Sequence, residues 1–295
     1  MQILSGTSNN KLAQDLAKEL SASILKREIT QFADGEIKIQ ITGTIKKPSV
    51  TLVQTLSPPV NHTIIETLLL IDALITMEIT EIVLIIPWMG YSIQNRSFRT
   101  GEPISARAVA QIFSHPQIKK IILLDLHRSN ILEYFKRPVV ELSAVNLFSS
   151  YLSEHIQTTD LCIVSPDEGS AHMGKKLADD FSLEHIIIRK KRSLETGETR
   201  FLGSIGKSSK KNAIIIDDGV LSGGTIAHSI SFLKAQGFHT IHCMTTHAVL
   251  TPGATKKLNM LELAGFICTD SVFQETYPDR TVILPTAQLY LPHIR

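Results

Sequence analysis

Two adjacent carboxylates precede a glycine-rich segment in the sequence IIIDDGVLSGGTIAHSISFLKAQG. The aliphatic run predicts a buried strand that stops at Asp217 and Asp218. The residues after it predict an amphipathic helix with Ile226, Ile230 and Leu233 on its buried face. Open α/β sheets bind ligands at the carboxyl ends of their strands, and paired carboxylates there can accept hydrogen bonds from a vicinal diol. We therefore expect a hydroxyl-bearing ligand at this edge of a sheet.

The turn between the two acids and the helix has the composition of a phosphate cradle. Ser222, Gly223, Gly224 and Thr225 would leave backbone N–H groups pointing outward at the helix N-terminus. A sugar phosphate would suit both the acids and the turn. The alternative for Gly-Gly-Thr alone is an ordinary strand followed by a capped helix.

Two further strand ends carry possible metal ligands. The run KKIILLDLH ends in Asp125 and His127, and LCIVSPDEG delivers Asp167 in a turn framed by Pro166 and Gly169. Carboxylate and imidazole groups can hold Mg²⁺ directly or through water, and Mg²⁺ bound to a triphosphate keeps several waters. A single histidine is more often structural, so His127 has that alternative too.

The segment GSAHMGKK, from Gly169 to Lys176, matches most of a Walker A loop. Lys176, however, stands where the Ser or Thr that binds Mg²⁺ should be. We therefore expect no nucleotide loop here, but a helix that continues through LADDF with Lys175 and Lys176 on its solvated face.

A dense basic segment, RKKRSLETGETRF, follows the strand HIII and lacks apolar periodicity, which predicts a loop. Such loops are usually solvated. If this one closed over a bound triphosphate, Lys190 and Arg192 could neutralise charge on a transferred phosphoryl group.

Composition excludes several classes of partner. The 295 residues include 30 basic and 28 acidic ones, a formal charge of +2, which predicts no general attraction to nucleic acid or membranes. No apolar stretch is long enough to span a bilayer, and the N-terminus does not resemble a signal peptide. Cys162, Cys243 and Cys268 are widely spaced and suit reduced core thiols, which favours a cytoplasmic protein.

Short aliphatic runs alternate along the chain with longer amphipathic stretches, which predicts an α/β fold with mostly parallel sheets. The segment EIKIQITG alternates strictly instead and predicts an edge strand or hairpin off the main sheet. The length favours two domains of similar size. We expect them to span residues 1–142 and 143–285, with the closing residues 286–295 able to return to the first domain.

Taken together, these motifs resemble the ribose-phosphate diphosphokinase (phosphoribosyl diphosphate synthetase) family over essentially the whole chain, with the greatest likeness to its short archaeal-type members. FADGEIKIQI resembles the segment that contacts adenine, and YSIQNRSFRTGEPISARAVAQIFS the segment that grips ATP. The resemblance implies two phosphoribosyltransferase-type domains related by pseudo-symmetry, ATP and ribose 5-phosphate as substrates, a requirement for Mg²⁺, and a homo-oligomer of two or more subunits. The adenine-contacting segment would then serve an active site on a neighbouring subunit.

The resemblance also implies a role for individual residues. It assigns ATP binding to Phe32, Asp34, Gly35, Glu36 and Gln94, metal binding to His127 and Asp167, catalysis to Lys190 and Arg192, and ribose 5-phosphate binding to Arg192, Asp217, Asp218, Leu221, Ser222, Gly223, Gly224 and Thr225.

Two positions depart from the family pattern. Ile93 stands where an Arg usually precedes Gln94, and Leu221 stands where the pentose-phosphate loop usually has Asp or Ser. Two alternatives therefore stay open: a phosphoribosyltransferase, which consumes phosphoribosyl diphosphate, and a weakly active regulatory homologue of the synthetase.

Overall fold

The computed structural model describes residues 1–192 and 199–294, with the side chains of residues 1–189 and 203–294. Two compact units divide the chain. The first contains Met1–Ser143, Asp270–Phe273 and Pro285–Arg295, and the second contains Ala144–Thr269 and Gln274–Leu284.

The first unit is built on a six-stranded parallel sheet with the strand order β2-β1-β5-β6-β7-β8. A separate antiparallel hairpin pairs β3 with β4. The strands are β1 (Gln2–Ser5), β2 (Ser23–Ile24), β3 (Arg27–Gln31), β4 (Ile37–Ile41), β5 (Ser49–Val53), β6 (Glu81–Ile86), β7 (Ile118–Leu124) and β8 (Val139–Leu142). The helices are α1 (Asn10–Glu19), α2 (Val60–Thr76), α3 (Ser105–Ile112) and, from the chain's end, α8 (Ala287–Ile294), with a 3₁₀ turn at Ser129–Tyr134.

The second unit is built on a seven-stranded sheet with the order β11-β10-β9-β12-β13-β14-β15, parallel except for the pair β10–β11. Its strands are β9 (Leu161–Ser165), β10 (Glu184–Arg192), β11 (Thr199–Ile205), β12 (Asn212–Val220), β13 (Thr240–Ala248), β14 (Gly265–Thr269) and β15 (Thr281–Leu284). Its helices are α4 (Val145–His155), α5 (Ala171–Phe181), α6 (Gly224–Ala235) and α7 (Ala254–Asn259).

Each unit has its own aliphatic core. The runs that predicted buried strands supply it: β6, β9 and β12 are buried along most of their length. A parallel sheet is covered on both faces, so the sequences of its strands are continuous apolar runs. The hairpin β3–β4 has one solvent-exposed face, and half-buried residues alternate with exposed ones along most of it. The α/β fold with mostly parallel sheets is thereby confirmed.

Two expected element boundaries were wrong. β12 does not stop at the paired acids but pairs with β13 as far as Val220, opposite Ala248. The basic segment is not wholly a loop, because its backbone continues β10 to Arg192 and then pairs antiparallel with β11, with a bulge between Arg189 and Lys190. Hydrogen bonding along the sheet edge forms these strands even though the sequence lacks strand periodicity.

The three cysteines are free and buried, as expected for core thiols. Burial raises the pKa of the Cys162 thiol to about 11. In the described part of the chain, no helix is both long and apolar enough to cross a membrane.

Candidate active site

In the second unit, β12 delivers the paired acids to the carboxyl edge of the sheet. Asp217 and Asp218 are both buried, and the Asp218 N–H donates to Oδ1 of Asp217 at 3.1 Å. Asp217 also contributes to the high pKa of Cys243, after the larger effect of that thiol's burial. Successive side chains of a strand point to opposite faces, so the two carboxylates leave β12 on opposite sides.

The turn after β12 has the glycine geometry expected of a phosphate cradle. Gly223 is in the left-handed region, at φ +70°, and it supplies no side chain to cap α6. A Cβ at Gly223 would lie 3.2 Å from side-chain atoms of Leu258, so the chain is also closely packed at this turn. Ser222 Oγ accepts a long hydrogen bond of 3.4 Å from the Gly224 N–H, and α6 begins at Gly224.

The helix that follows is the predicted one. Ile226, Ile230 and Leu233 are buried on one side of α6, and the helix packs against β12. The partial positive charge of the α6 N-terminus therefore lies at the turn from Ser222 to Thr225, where an anion would be stabilised.

A second backbone segment supports this turn. The N–H groups of Leu250 and Thr251 donate to the carbonyls of Val220 and Leu221, each at 3.0 Å. These bonds extend the pairing of β12 beyond its last strand residue. Leu221 is half-buried. Its backbone is hydrogen-bonded to Thr251 although its side chain differs from the family pattern.

Asp167 lies in the turn that follows β9, the strand that pairs with β12. Its Oδ1 accepts hydrogen bonds from the N–H groups of Gly169, at 2.8 Å, and Ser170, at 3.4 Å. The parallel strands β9 and β12 end at the same edge of the sheet, so the structure brings Asp167 and the paired acids to one side of the second unit.

The resemblance of GSAHMGKK to a Walker A loop has no structural counterpart. Residues from Ala171 onward form α5, and Lys175 and Lys176 are exposed and paired with Asp179 and Asp180 one turn further along. The prediction of a helix with a solvated lysine face is confirmed.

In the first unit, the segment expected to contact adenine is the tip of the β3–β4 hairpin. The Phe32 N–H donates to the Glu36 carbonyl at 2.8 Å, Gly35 has φ +93°, and the Glu36 N–H donates to Oδ1 of Asp34. Phe32 is half exposed, and Lys38 lies 5.7 Å from the centre of its ring. An exposed aromatic ring with two carboxylates beside it is available to a ligand or to another subunit.

The segment expected to grip ATP folds as irregular backbone before α3. Gln94 is half-buried, and its side-chain oxygen accepts a hydrogen bond from Ser105. Ile93 is 46% exposed, so it does not serve as a core residue. Arg96 is exposed and stacks over the ring of Phe98, at 5.1 Å from its centre.

His127 is half-buried and lies two residues after Asp125, whose backbone is strained. Asp125 is buried with φ +34°, in the left-handed region that non-glycine residues seldom adopt. Its backbone N–H donates to the Leu142 carbonyl, and that of Leu126 to Oε1 of Glu141. Asp125 and His127 are the two possible metal ligands that the sequence places at this strand end, and their role in metal binding stays a prediction. In the described part of the chain, no group of three or more His, Cys, Asp or Glu side chains could hold a metal alone.

The side chains of Lys190 and Arg192 lie outside the described residues, so their catalytic role stays a prediction. Sequence reasoning also missed a contact between the buried Ser165 and Gly174 and the half-buried His185, close in the chain to the Asp167 turn. No local motif signals them, because the contact joins residues from three different elements.

Comparison with known proteins assigns the family. Residues 1–115 match the N-terminal domain of ribose phosphate pyrophosphokinase, and residues 133–276 match the phosphoribosyl transferase domain. The chain is 33% identical to ribose-phosphate pyrophosphokinase 1 of Listeria monocytogenes over 98% of this chain and 91% of that protein. It is 29% identical to the same-named protein of Streptococcus pneumoniae over 100% of this chain and 91% of that protein.

A solved structure agrees with these relatives. The crystal structure of phosphoribosylpyrophosphate synthetase from Mycobacterium smegmatis superposes with a TM-score of 0.90 at 29% identity, covering 100% of this chain and 97% of that one. The narrower likeness to archaeal-type members stays a prediction. The chain therefore belongs to the ribose-phosphate pyrophosphokinase family.

Proposed function

We propose that this chain transfers the diphosphoryl group of Mg-ATP to the anomeric hydroxyl of ribose 5-phosphate, giving 5-phosphoribosyl 1-diphosphate and AMP. One observation carries the proposal: Asp217 and Asp218 are buried at the end of β12, directly before the glycine-rich N-terminus of α6. The chain around this junction matches the family over nearly its whole length. This pairing of groups suits a pentose hydroxyl pair and a phosphate on the same molecule.

In this mechanism the anomeric hydroxyl attacks the β-phosphorus of ATP, the bond from that phosphorus to the α-phosphate oxygen breaks, and AMP leaves. Asp217 and Asp218 accept hydrogen bonds from the ribose hydroxyls, and the turn from Leu221 to Thr225 holds the 5-phosphate. Phosphoryl transfer needs little covalent help from the protein, so alignment and charge stabilisation supply most of the rate. Lys190 and Arg192 would neutralise charge that develops on the transferred group.

The nucleotide would be held by residues of the first unit. Gln94 is anchored by Ser105 and can present its amide N–H groups to a phosphate. At the β3–β4 tip, Phe32 offers a ring face for adenine, and Asp34 and Glu36 offer hydrogen-bond acceptors, with Gly35 allowing the tight turn.

The donor set fits Mg²⁺. Asp167 supplies a carboxylate in a fixed turn, and His127 supplies an imidazole that can act directly or through water. Mg²⁺ in nucleotide sites commonly takes one or two protein ligands, with waters and substrate phosphates completing its coordination. When bound, Mg²⁺ would offset the charge of the triphosphate. We place the enzyme in the cytoplasm, in agreement with three reduced, buried cysteines.

One assay separates this proposal from its alternatives: production of AMP from ATP and ribose 5-phosphate in the presence of Mg²⁺. A phosphoribosyltransferase would form no AMP from ATP and ribose 5-phosphate, because its reaction consumes phosphoribosyl diphosphate and releases diphosphate. A regulatory homologue would form little AMP alone. Robust AMP formation supports the synthetase, and its absence at high protein concentration overturns it.

The same assay tests the catalytic role proposed for Lys190 and Arg192 of the basic segment. Lys190→Ala and Arg192→Ala should lower kcat far more than they raise the KM values, because a transition-state contact behaves that way. The loss should be on the order of a hundredfold or more. Lys210→Ala, a half-buried lysine just before β12, is the control. Near-normal turnover in both hairpin variants would refute the catalytic assignment.

A further inference from the structure

A chain of hydrogen bonds runs from the half-buried His185 on β10, through the buried Ser165, to the N-terminus of α5. The Oγ atom of Ser165, which is fully buried, lies 2.9 Å from Nε2 of His185 and 3.2 Å from the carbonyl oxygen of Ser170. A serine hydroxyl has one proton, and a carbonyl oxygen can only accept. When both contacts are hydrogen bonds, the hydroxyl of Ser165 donates to Ser170 and accepts from the Nε2–H of His185, which is the tautomer that the inference below requires.

The chain ends at the turn that carries Asp167. The Ser170 carbonyl accepts a second hydrogen bond, of 3.1 Å, from the Gly174 N–H in the first turn of α5. The N–H of Ser170 donates in the opposite direction, to Oδ1 of Asp167, as does that of Gly169. The carbonyl and the N–H of Ser170 belong to neighbouring peptide groups that meet at its Cα, so holding the carbonyl restrains the residue whose N–H donates to the Asp167 carboxylate.

Gly174 makes room for this contact. A Cβ at that position would lie 2.2 Å from Oγ of Ser165 and 2.5 Å from Nε2 of His185, distances at which the pair would have to separate. Glycine weakens a helix interior relative to alanine. Its presence at a buried position of α5 is explained by the two polar atoms that pack against it.

The surroundings of His185 disfavour the charged form of its ring. Burial lowers its pKa, and the nearby Lys175 lowers it further, against a smaller opposite effect of Asp179. A neutral ring has a single N–H, and the hydrogen-bond geometry places it at Nε2.

We propose that His185 is a positioning residue for the Asp167 turn: through Ser165 it holds the Ser170 carbonyl, and this restrains the backbone whose N–H groups keep the Asp167 carboxylate aligned for a Mg²⁺-bound diphosphate. The inference rests on the proposed function of Asp167. It adds a residue two elements away, on β10, whose effect reaches the ligand only through hydrogen bonds.

Two substitutions separate positioning from space-filling. His185→Phe keeps a ring but removes the donor, and His185→Gln keeps a donor N–H at similar reach. The Phe variant should lower kcat and raise the Mg²⁺ concentration for half-maximal rate, each by about three- to tenfold, the range expected for one lost hydrogen bond. Its KM for ribose 5-phosphate should stay within about twofold, and the Gln variant should recover most of the loss. His239→Phe, at an exposed histidine of the same unit, is the matched control.

Two readouts do not depend on activity. Hydrogen exchange of the peptide 166–172 should be faster in His185→Phe than in the wild type and in His185→Gln. In the wild type, the ¹⁵N chemical shifts of the His185 ring should show the proton on Nε2. This second measurement also decides the matter if His185→Phe fails to fold.

A proton on Nδ1 overturns the inference, as does a folded His185→Phe protein whose exchange and Mg²⁺ dependence match the wild type. Equal losses in His185→Phe and His185→Gln would also overturn it, since a side chain that restores the donor N–H would then restore no function. If the wild type makes no AMP, the proposed function fails, while the tautomer and the exchange rates still decide whether His185 holds the turn.

Discussion

At the scale of single residues, the two acids of β12 are chemically alike but differently placed. They alternate across the strand, and only Asp217 is close enough to Cys243 to affect that thiol's pKa. The sequence showed two carboxylates at a strand end, but it could not show that β12 continues past them. The two side chains therefore need separate tests.

We expect Asp217→Asn to weaken ribose 5-phosphate binding by about ten- to a hundredfold, because hydrogen bonds to a charged group contribute about 1.5 to 3 kcal/mol. ATP affinity should stay nearly intact. Calorimetric titration with each ligand measures both effects, with Asp179→Asn as a surface control in the same unit. A loss confined to ATP would move Asp217 to the metal or the triphosphate.

The residues around Ile93 pose a second question at this scale. Ile93 is half exposed where the family usually has a cation, and neither a core role nor a hydrogen bond explains it. Arg96 stacks on the exposed ring of Phe98, which holds its guanidinium on the segment expected to bind ATP. Arg99 is exposed on the same segment, and its backbone N–H donates to Glu102.

We expect Arg96→Ala or Arg99→Ala to raise the KM for ATP by about ten- to a hundredfold, since a guanidinium fork pairs with phosphate oxygens. Ile93→Arg should partly restore the impaired variant. Arg107→Ala, an exposed arginine on α3, is the control. Unchanged KM values in both alanine variants would discard this compensation and favour the weakly active homologue.

At the scale of elements, apolar periodicity was sufficient to predict the helices and strands that form because they bury residues in a core. It identified the buried strands, the wet hairpin β3–β4 and the helix α6, because each of these patterns reports contact with a core. It missed β11 and the end of β10, where edge hydrogen bonding and not burial forms the strands. The Ser165–His185 contact was equally invisible, since twenty residues separate its partners.

The turn before α6 is an element whose geometry makes a sharp prediction. Gly223→Ala should lower the melting temperature by about 2 to 4 °C, because a left-handed non-glycine residue costs about 1 kcal/mol or more and its Cβ would press on Leu258. It should also weaken ribose 5-phosphate binding by distorting the cradle.

Gly224→Ala is the matched control for stability. A Cβ there would meet only Ser222 Oγ, at an ordinary 3.5 Å, and alanine favours the first turn of a helix. Its melting temperature should equal or exceed that of the wild type. Equal melting temperatures for both variants would show that the left-handed turn is not strained by a side chain.

At the scale of the whole molecule, the chain contains two units, each with its own mostly parallel sheet and core. The sequence predicted this class because strands alternate with helices along the full length. Composition and periodicity carry no information on subunit contacts. The remaining prediction about assembly depends on one exposed hairpin tip.

Phe32, Asp34 and Glu36 are all exposed at the tip of β3–β4, and an aromatic ring left half exposed beside two carboxylates suits a site completed by another copy of the chain. If they reach a neighbouring subunit's adenine pocket, activity needs at least a dimer, and specific activity should fall on dilution.

The Phe32→Ala variant should lose specific activity at a protein concentration about tenfold or more higher than the wild type, since burying a Phe side chain contributes about 1.5 to 3 kcal/mol. Phe273→Ala, at another exposed phenylalanine of the first unit, should leave the dilution curve unchanged. Ultracentrifugation at the assay concentration relates activity to mass, and a fully active monomer would refute a shared site.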